Sequence, residues 1–301
     1  QMLFLAHVAA KLMPAGENGS GGRGAVVSNG SPLFTGSPGS GPDQIRAWLL
    51  ENDLVDAIIQ LPTNMFYGTG ISTYVWILDT NKEDHRKGFV QLIDASECWS
   101  VPDKGLGDKR REMREVDRNK VLQAYSDFAD SEMSKILTPD DLGFRDVKVT
   151  KQARLGVRVT DKAIAEVLAH KQAVDAHADV VRAVAGASYN DLPEALKAAA
   201  KEHGVKMPAT LIDAISKAIA VSDPNAEPAV DRKGNPVLDP SFTMTERVPL
   251  TEDIDEHMQR EVLPFAPVVT WDATKAVTGY EIPFKRVFYN PEPVRPLAEI
   301  D

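Results

Sequence analysis

Four short apolar runs constrain this chain most: "GAVVSN" (24–29), "VDAIIQLP" (55–62), "STYVWILDT" (72–80) and "GFVQLIDAS" (88–96). They are too apolar to alternate between a wet and a dry face, and "GAVVSN" in particular reads as a parallel central strand buried on both sides. Between the first two lies an amphipathic stretch, capped by Asp43, with Ile45, Trp48, Leu49 and Leu50 on the recurring positions. Residues 2–13 predict a further helix, with Met2, Phe4, Leu5, Val8, Leu12 and Met13 on one face and "PAGENGSGGRG" ending it. Strand, helix, strand, strand is the order of a doubly wound α/β sheet, here finished by a hairpin-like edge.

The character changes near residue 100. Residues 1–98 carry the sheet pattern, and 99–160 read as a basic helix and an extended connector. "KGLGDKRREMREVDRNK" (104–120) holds seven basic and four acidic side chains, and "VLQAYSDFADSEMSKIL" continues it as a helix. "FRDVKVTKQARLGVRVT" alternates loosely, as one or two exposed strands do. Residues 161–221 are Ala-rich and helical, 222–247 form a Pro/Asp/Asn-rich loop or linker, and 248–301 return to order with a helix near 252–262.

Charge and composition exclude several functions. The 301 residues carry 34 basic and 44 acidic side chains, a formal net charge of -10. A chain that grips DNA by itself is usually basic, because phosphate contacts dominate affinity. A DNA role therefore requires another subunit, or a further segment, to supply most of the grip. One cysteine, Cys98, rules out an internal disulfide and fits a reducing cytoplasm. No apolar run reaches the ~18 residues that span a bilayer. "QMLFLAHVAAKLMPAG" lacks the basic leader of a signal peptide, and Gln1 reads as a cut edge within a longer polypeptide.

Motifs for small-molecule chemistry fail on inspection. "TGSPGSGP" (35–42) joins a strand to a helix, but its spacing is G-x-x-G-x-G, and Pro38 and Pro42 remove two amide donors from any phosphate cradle. "YGTG" (67–70) opens a strand, where a nucleotide loop opens a helix. "SPL" and "GIS" make no nucleophile elbow. The histidines at 7, 85, 170, 177, 203 and 257 are scattered in charged or Ala-rich surroundings, as solvated side chains are, and no metal site is expected.

Larger segments carry a resemblance. "NGSPLFTG", "IRAWLLENDLVDAIIQLPTNMFYGTGISTYVWILDTNK" and "RKGFVQLIDAS" resemble the modification subunit of type I restriction-modification systems. The end, "VPLTEDID...REVLPF...GYEIPFKRVFYNPEPVRPLAEID", is similar to that family's C-terminal signature. The likeness covers 1–98 and 248–301 well and the middle loosely, and the motif "LPxxxFxxTxIxT" is met in part, by Gly68, Thr69, Gly70, Ile71 and Thr73. The resemblance implies an α/β fold in which this chain is the C-terminal half of a Rossmann-like methyltransferase sheet followed by a mainly helical region. It implies an adenine-specific DNA methyltransferase in which S-adenosylmethionine donates a methyl group to the exocyclic amine of a flipped base. It also implies a specificity subunit, a restriction subunit and a second modification subunit as partners.

The family's Gly-rich cofactor loop and its Asn-Pro-Pro-Phe/Tyr tetrad have no counterpart here. "DPSF" (239–242) has Ser241 in place of the second proline, and "NPEP" (290–293) lacks the aromatic. The chain alone is accordingly expected to bind S-adenosylmethionine poorly and to be inactive. The alternative is a non-catalytic assembly module that docks the specificity subunit and DNA. By position in the family pattern, Phe66 packs on the flipped base, with Tyr67 second, or Phe66 simply covers the sheet end. Asn29 at a strand tip either reaches the substrate pocket or serves only its turn. Arg110, Arg111 and Arg114 contact the DNA backbone, or belong to a salt-bridged solvated helix.

Overall fold

The computed structural model describes residues 1–16 and 20–290, which fall into two compact units. The first comprises Gln1–Val147, Arg247–Ile254 and the described residues from Lys275 onward. In chain order it contains α1 (Met2–Lys11), β1 (Arg23–Asn29), α2 (Ser31–Phe34), α3 (Gly41–Glu51), β2 (Val55–Gln60), β3 (Thr73–Asp79), β4 (Val90–Asp94), α4 (Glu115–Asp127) and β5 (Ser134–Leu137). The strands form one sheet in the order β1-β3-β2-β4-β5. β3 is antiparallel to both neighbours, so that Val26 of β1 and Ile58 of β2 flank Trp76. β2 and β4 are parallel, with Ile58 opposite Leu92. The carboxyl ends of β1, β2 and β4 therefore lie along one rim.

This topology corrects two expectations. The β2–β3 hairpin sits inside the sheet rather than at its edge, because β3 turns back into the space between β1 and β2. "GAVVSN" is no central parallel strand. Among the described residues β1 is an edge strand paired only with antiparallel β3, and Val27 is 55% exposed. Apolar composition over six residues does not separate a strand covered on both sides from one left open on its edge.

Ala25 and Val27 leave one face of β1 exposed, whereas both faces of the inner strands are covered. On one, Leu5 of α1 and Leu49 and Leu50 of α3 pack with Ile58, Trp76 and Leu78, joined by Tyr280, Ile282 and Phe284 from the C-terminal segment. On the other, Ile59, Ile93, Ala95 and Cys98 pack with Val121 of α4. Burial raises the Cys98 thiol's pKa, and its Sγ lies 3.6 Å from Met133 Sδ.

The basic segment also departs from expectation. Residues 104–114 are a loop with isolated bridges Ser100–Glu112 and Leu106–Lys109, and the helix begins only at Glu115. Gly105 and Gly107 interrupt the helical run, and Gly107 adopts φ +56°. "SKIL" is not helical but forms β5, after Phe128 ends α4 in the left-handed region.

β6 (Gly143–Gln152) follows. The second unit, Lys148–Glu246 and Asp255–Thr274, holds β7 (Leu155–Val157), α5 (Asp161–Leu168), α6 (His177–Ala183), α7 (Leu192–Glu202), α8 (Ala209–Ile219) and β8 (Ala220–Ser222). Thr160 caps α5 by accepting the Ala163 N–H at 3.2 Å. Leu192, Leu196, Leu211 and Ile215 bury fully in a core built by these helices, with Val157 of β7 packed against it. The expected linker 222–247 contains part of a strand, β9 (Leu238–Pro249), which pairs with β6. α9 (Ile254–His257) and β10 (Val269–Trp271) come next, and then β11 (Val277–Tyr280) and α10 (Phe284–Val287) of the first unit. The first half of β6 pairs with β11 and the second half with β10. Two histidines are buried, contrary to expectation: His177 Nε2 lies 3.1 Å from the Lys206 carbonyl, and His257 Nε2 lies 3.2 Å from Glu246. "NPEP" and the terminal "VRPLAEID" fall, apart from Asn290, outside the described residues.

Candidate base-binding cleft

In open α/β sheets ligands bind in the crevice beyond the carboxyl ends of the strands. At that rim, beside β1 and beneath the 61–72 connection, lies a cleft of about 790 Å³. Val27, Asn29, Phe66, Thr69 and Ile71 line it, together with Phe4 from α1. Phe66 belongs to neither core of the sheet and is 40% exposed; Ile71 is 54% exposed. An aromatic ring and aliphatic walls at the mouth of a crevice suit a flat, poorly hydrated ligand. At the same rim Tyr74 Oη reaches Gln60 Oε1 at 3.4 Å, and burial, aided by the Asp94 carboxylate, raises the phenol's pKa.

The other sequence candidates take distinct places. Asn29 Oδ1 accepts the Ser31 N–H at 2.9 Å, so Asn29 makes the turn into α2 and lines the cleft as well. Tyr67 is 65% exposed and packs on the basic loop: a Cβ on Gly107 would lie 2.8 Å from its ring. Arg111 stacks 4.2 Å over Trp99 and donates to Thr63 Oγ1 at 3.1 Å. Arg114 pairs with Glu112 at 2.8 Å and Asp103 at 2.9 Å, and its N–H donates to Asp117 at the start of α4. Arg110 is exposed and forms no ion pair among the described residues. The three arginines thus sit on one loop in three different settings, and that loop adjoins the one carrying Phe66.

The glycine loop 35–42 turns two of its amides inward. The Gly39 N–H donates to Asp43 Oδ2 at 2.9 Å and the Ser40 N–H to the Ser37 carbonyl at 2.9 Å, so these amides are spent within the loop. Ser40, not Asp43, occupies the cap position of α3; Asp43 lies in the first turn. "DPSF" begins β9, where Asp239 accepts both the N–H and the hydroxyl of Ser241.

Two buried ion networks in the sheet-bearing unit were missed by a reading that put charges outside. Arg46, 1% exposed, donates to the carbonyls of Tyr280 (2.6 Å), Pro32 (2.9 Å) and Thr35 (3.2 Å) and to Asp43 at 3.3 Å. Asp43 Oδ1 also accepts the Tyr280 N–H at 3.0 Å. This cluster fastens β11 to the loop after β1 and joins the two separated blocks of the family pattern. Burial lowers the Arg46 pKa against the opposing pull of Asp43. The second network centres on Asp56 of β2. Arg86 Nε donates to it at 2.7 Å and Arg23 at 2.8 Å, with a further hydrogen bond from Tyr125 of α4. Arg86 also donates to Gln91 and stacks on Tyr125 and Phe128. The signal for the first network was the spacing: Asp43 and Arg46 share the helix face of Leu49 and Leu50.

With this geometry in hand, comparison with known proteins gives a clear family. The profile of the N-6 DNA methylases matches residues 1–161, more than half of the chain. The chain belongs to that family. The match takes in the sheet, the cleft and the basic loop, and ends where the helices of the second unit begin. Among curated relatives, the MjaIX methylase subunit of a type I restriction enzyme from Methanocaldococcus jannaschii is 25% identical over 154 residues, covering 48% of this chain and 26% of that protein. The MjaVII methylase subunit of the same organism is 32% identical over 115 residues, covering 36% of this chain and 18% of that one. The chain thus spans about a quarter or less of these relatives. Among solved structures, the type I methyltransferase subunit of Streptococcus thermophilus aligns with 28% identity and a TM-score of 0.38, over 46% of this chain and 26% of that one. The resemblance to type I modification subunits read from the sequence stands. No described helix is long and apolar enough to cross a membrane.

Proposed function

We propose that this N-6 DNA methylase chain forms the base-facing part of a type I modification subunit that methylates the exocyclic amine of adenine in DNA. One observation carries the reading: within the family span, an exposed phenylalanine stands at the mouth of an apolar cleft on the carboxyl rim of the sheet. A base swung out of the duplex needs a surface for its π face. Phe66 supplies it, and Val27 and Ile71 exclude water beside it. Asn29 has its carbonyl engaged by Ser31, which leaves its Nδ2 to donate to an acceptor on the base edge.

The complete subunit takes its methyl group from S-adenosylmethionine, and its cofactor loop and Asn-Pro-Pro-aromatic tetrad are not among these residues, so the activity belongs to the complete subunit and this chain alone is inactive. Arg110 contacts the DNA backbone, while Arg111 and Arg114 shape the loop that presents it. A net charge of -10 assigns most of the DNA grip to a specificity subunit. The complex further contains a restriction subunit and a second modification subunit, and works in the cytoplasm. The second unit, with its own core beyond the family span, supports an assembly role for that part of the chain.

Phe66→Ala in the complete subunit, assembled with its specificity partner, is expected to lower single-turnover methylation about 5- to 150-fold, the kinetic equivalent of losing ~1–3 kcal/mol of base stacking. Phe66→Trp retains most of the rate. Thermal stability stays unchanged, because Phe66 lies outside both cores. An unaltered rate for Phe66→Ala rejects the assignment.

A further inference from the structure

Two loops at the rim, 61–72 and 104–112, are stitched together by hydrogen bonds that converge on one residue. The Asn64 carbonyl accepts the N–H groups of both Arg110 (2.9 Å) and Arg111 (3.1 Å). Its Nδ2 donates to the Asp108 carbonyl at 3.2 Å. Nearby, the Asp108 N–H donates to the Tyr67 carbonyl at 3.1 Å, and Arg111 holds Thr63. Asn64 sits at φ +57°, in the left-handed region that Asn tolerates better than most residues.

Two glycines make the close approach possible. A Cβ at Gly70 would meet Asn64 Nδ2 at 2.9 Å. A Cβ at Gly107 would meet the Tyr67 ring and carbonyl at 2.8 Å, at a position that already has φ +56°. Phe66 lies between Asn64 and Tyr67, both bonded across to the basic loop, so its backbone is held from either side. A force on Arg110 is passed to Asn64, two residues from Phe66, through the peptide hydrogen bonds of Arg110 and its neighbour Arg111.

We infer that Asn64 is a positioning residue that couples the basic loop to the aromatic loop, so that a phosphate contact at Arg110 sets the placement of the Phe66 ring in the cleft. This inference rests on the assignment of Phe66 to the flipped base and names what regulates that ring. A basic arm docked in this way senses the presence of a duplex and reports it to the base pocket. Asn64 touches neither DNA nor base in this scheme. Its backbone carbonyl and side-chain amide do the work, and Gly70 and Gly107 give them room.

A double-mutant cycle tests the coupling in the complete subunit assembled on its DNA. Arg110→Glu and Phe66→Ala are combined singly and together, and the cycle is repeated with Asn64→Gly and with Gly107→Ala. Asn64→Gly keeps the left-handed backbone and its carbonyl while deleting the bond to Asp108. Gly107→Ala forces the loops apart. Read-outs are single-turnover methylation, the fluorescence of 2-aminopurine at the target position, and the salt dependence of binding. In the wild-type background the double variant is expected to be about fivefold more active than the product of the single effects, a coupling of ordinary size for connected groups. That non-additivity disappears with Gly107→Ala and shrinks with Asn64→Gly, and both lower the 2-aminopurine signal. Their salt slopes stay at the wild-type value, whereas Arg110→Glu makes the slope shallower by about one. Additive effects of Arg110→Glu and Phe66→Ala in the wild type overturn the coupling while leaving the base-binding assignment in place. A Phe66→Ala variant of unchanged activity overturns that assignment, and the coupling with it.

Discussion

Replacing Arg46 by Ala is expected to cost the sheet-bearing unit about 3–5 kcal/mol of unfolding free energy, the usual penalty for breaking a buried ion pair from one side. The cause is what remains. Asp43 is 3% exposed, and the carbonyls of Pro32, Thr35 and Tyr280 each lose a charged donor. Arg46→Lys recovers only part of the loss, because a single ammonium cannot address acceptors arranged for a planar fork. The damage is local in a measurable way. Hydrogen exchange at the Tyr280 and Ile282 amides rises first, since Tyr280 N–H bonds to Asp43 and Ile282 N–H to the Leu33 carbonyl. Denaturant unfolding checks the magnitude. A loss below about 1 kcal/mol, the range of an exposed pair, shows that the cluster is not stabilising in the buried sense argued here.

Asp56→Ala is expected to be comparably severe, again about 3–5 kcal/mol, because it strands Arg86 at 4% exposure. The double change Asp56→Leu with Arg86→Met is expected to regain most of it, since a buried pair is often replaceable by packed apolar side chains. The pH dependence follows from the same contacts. Burial pushes the Asp56 carboxyl up, but hydrogen bonds from Arg86, Tyr125 and Arg23 outweigh it and hold the carboxyl below its ordinary value. Burial and the Asp56 carboxylate push Tyr125 to about 12, so its phenol stays a donor at neutral pH. A carboxylate depressed on folding contributes stability that is fully present above its unfolded pKa, ~3.9, and is lost as pH falls through the folded value. Acid unfolding monitored from pH 6 downward therefore steepens below about pH 4 in the wild type and flattens in Asp56→Asn.

Strand and helix identity were readable where periodicity and length agreed, as in α1, α3 and the Ala-rich helices of the second unit. The order of strands was not, because nothing local in "STYVWILDT" says that it inserts between "GAVVSN" and "VDAIIQLP" rather than beside one of them. The basic stretch misled for a different reason. Its charges match a solvated helix, yet Gly105 and Gly107 permit a loop that docks against Asn64 and Tyr67 through backbone groups no pattern reveals. Phe66 was legible only through the family pattern; its exposure and its neighbours Val27 and Ile71 come from the turn that folds 61–72 over the rim. Arg46 and Asp56 lay hidden because charged residues are read as outward-facing; Arg46 shares a helix face with Leu49, but Asp56 sits at a β-bulge between Val55 and Ala57 that breaks the alternation of β2.

Photocrosslinking from the target base tests the cleft most directly. With 5-iodouracil in place of the target adenine, in the complete subunit assembled on DNA, irradiation is expected to link the base to the peptide spanning residues 61–73, with the adduct on Phe66. Adducts confined to residues outside 61–73 and 23–29, in a complex that methylates its natural site normally, would contradict the placement of the flipped base against this cleft.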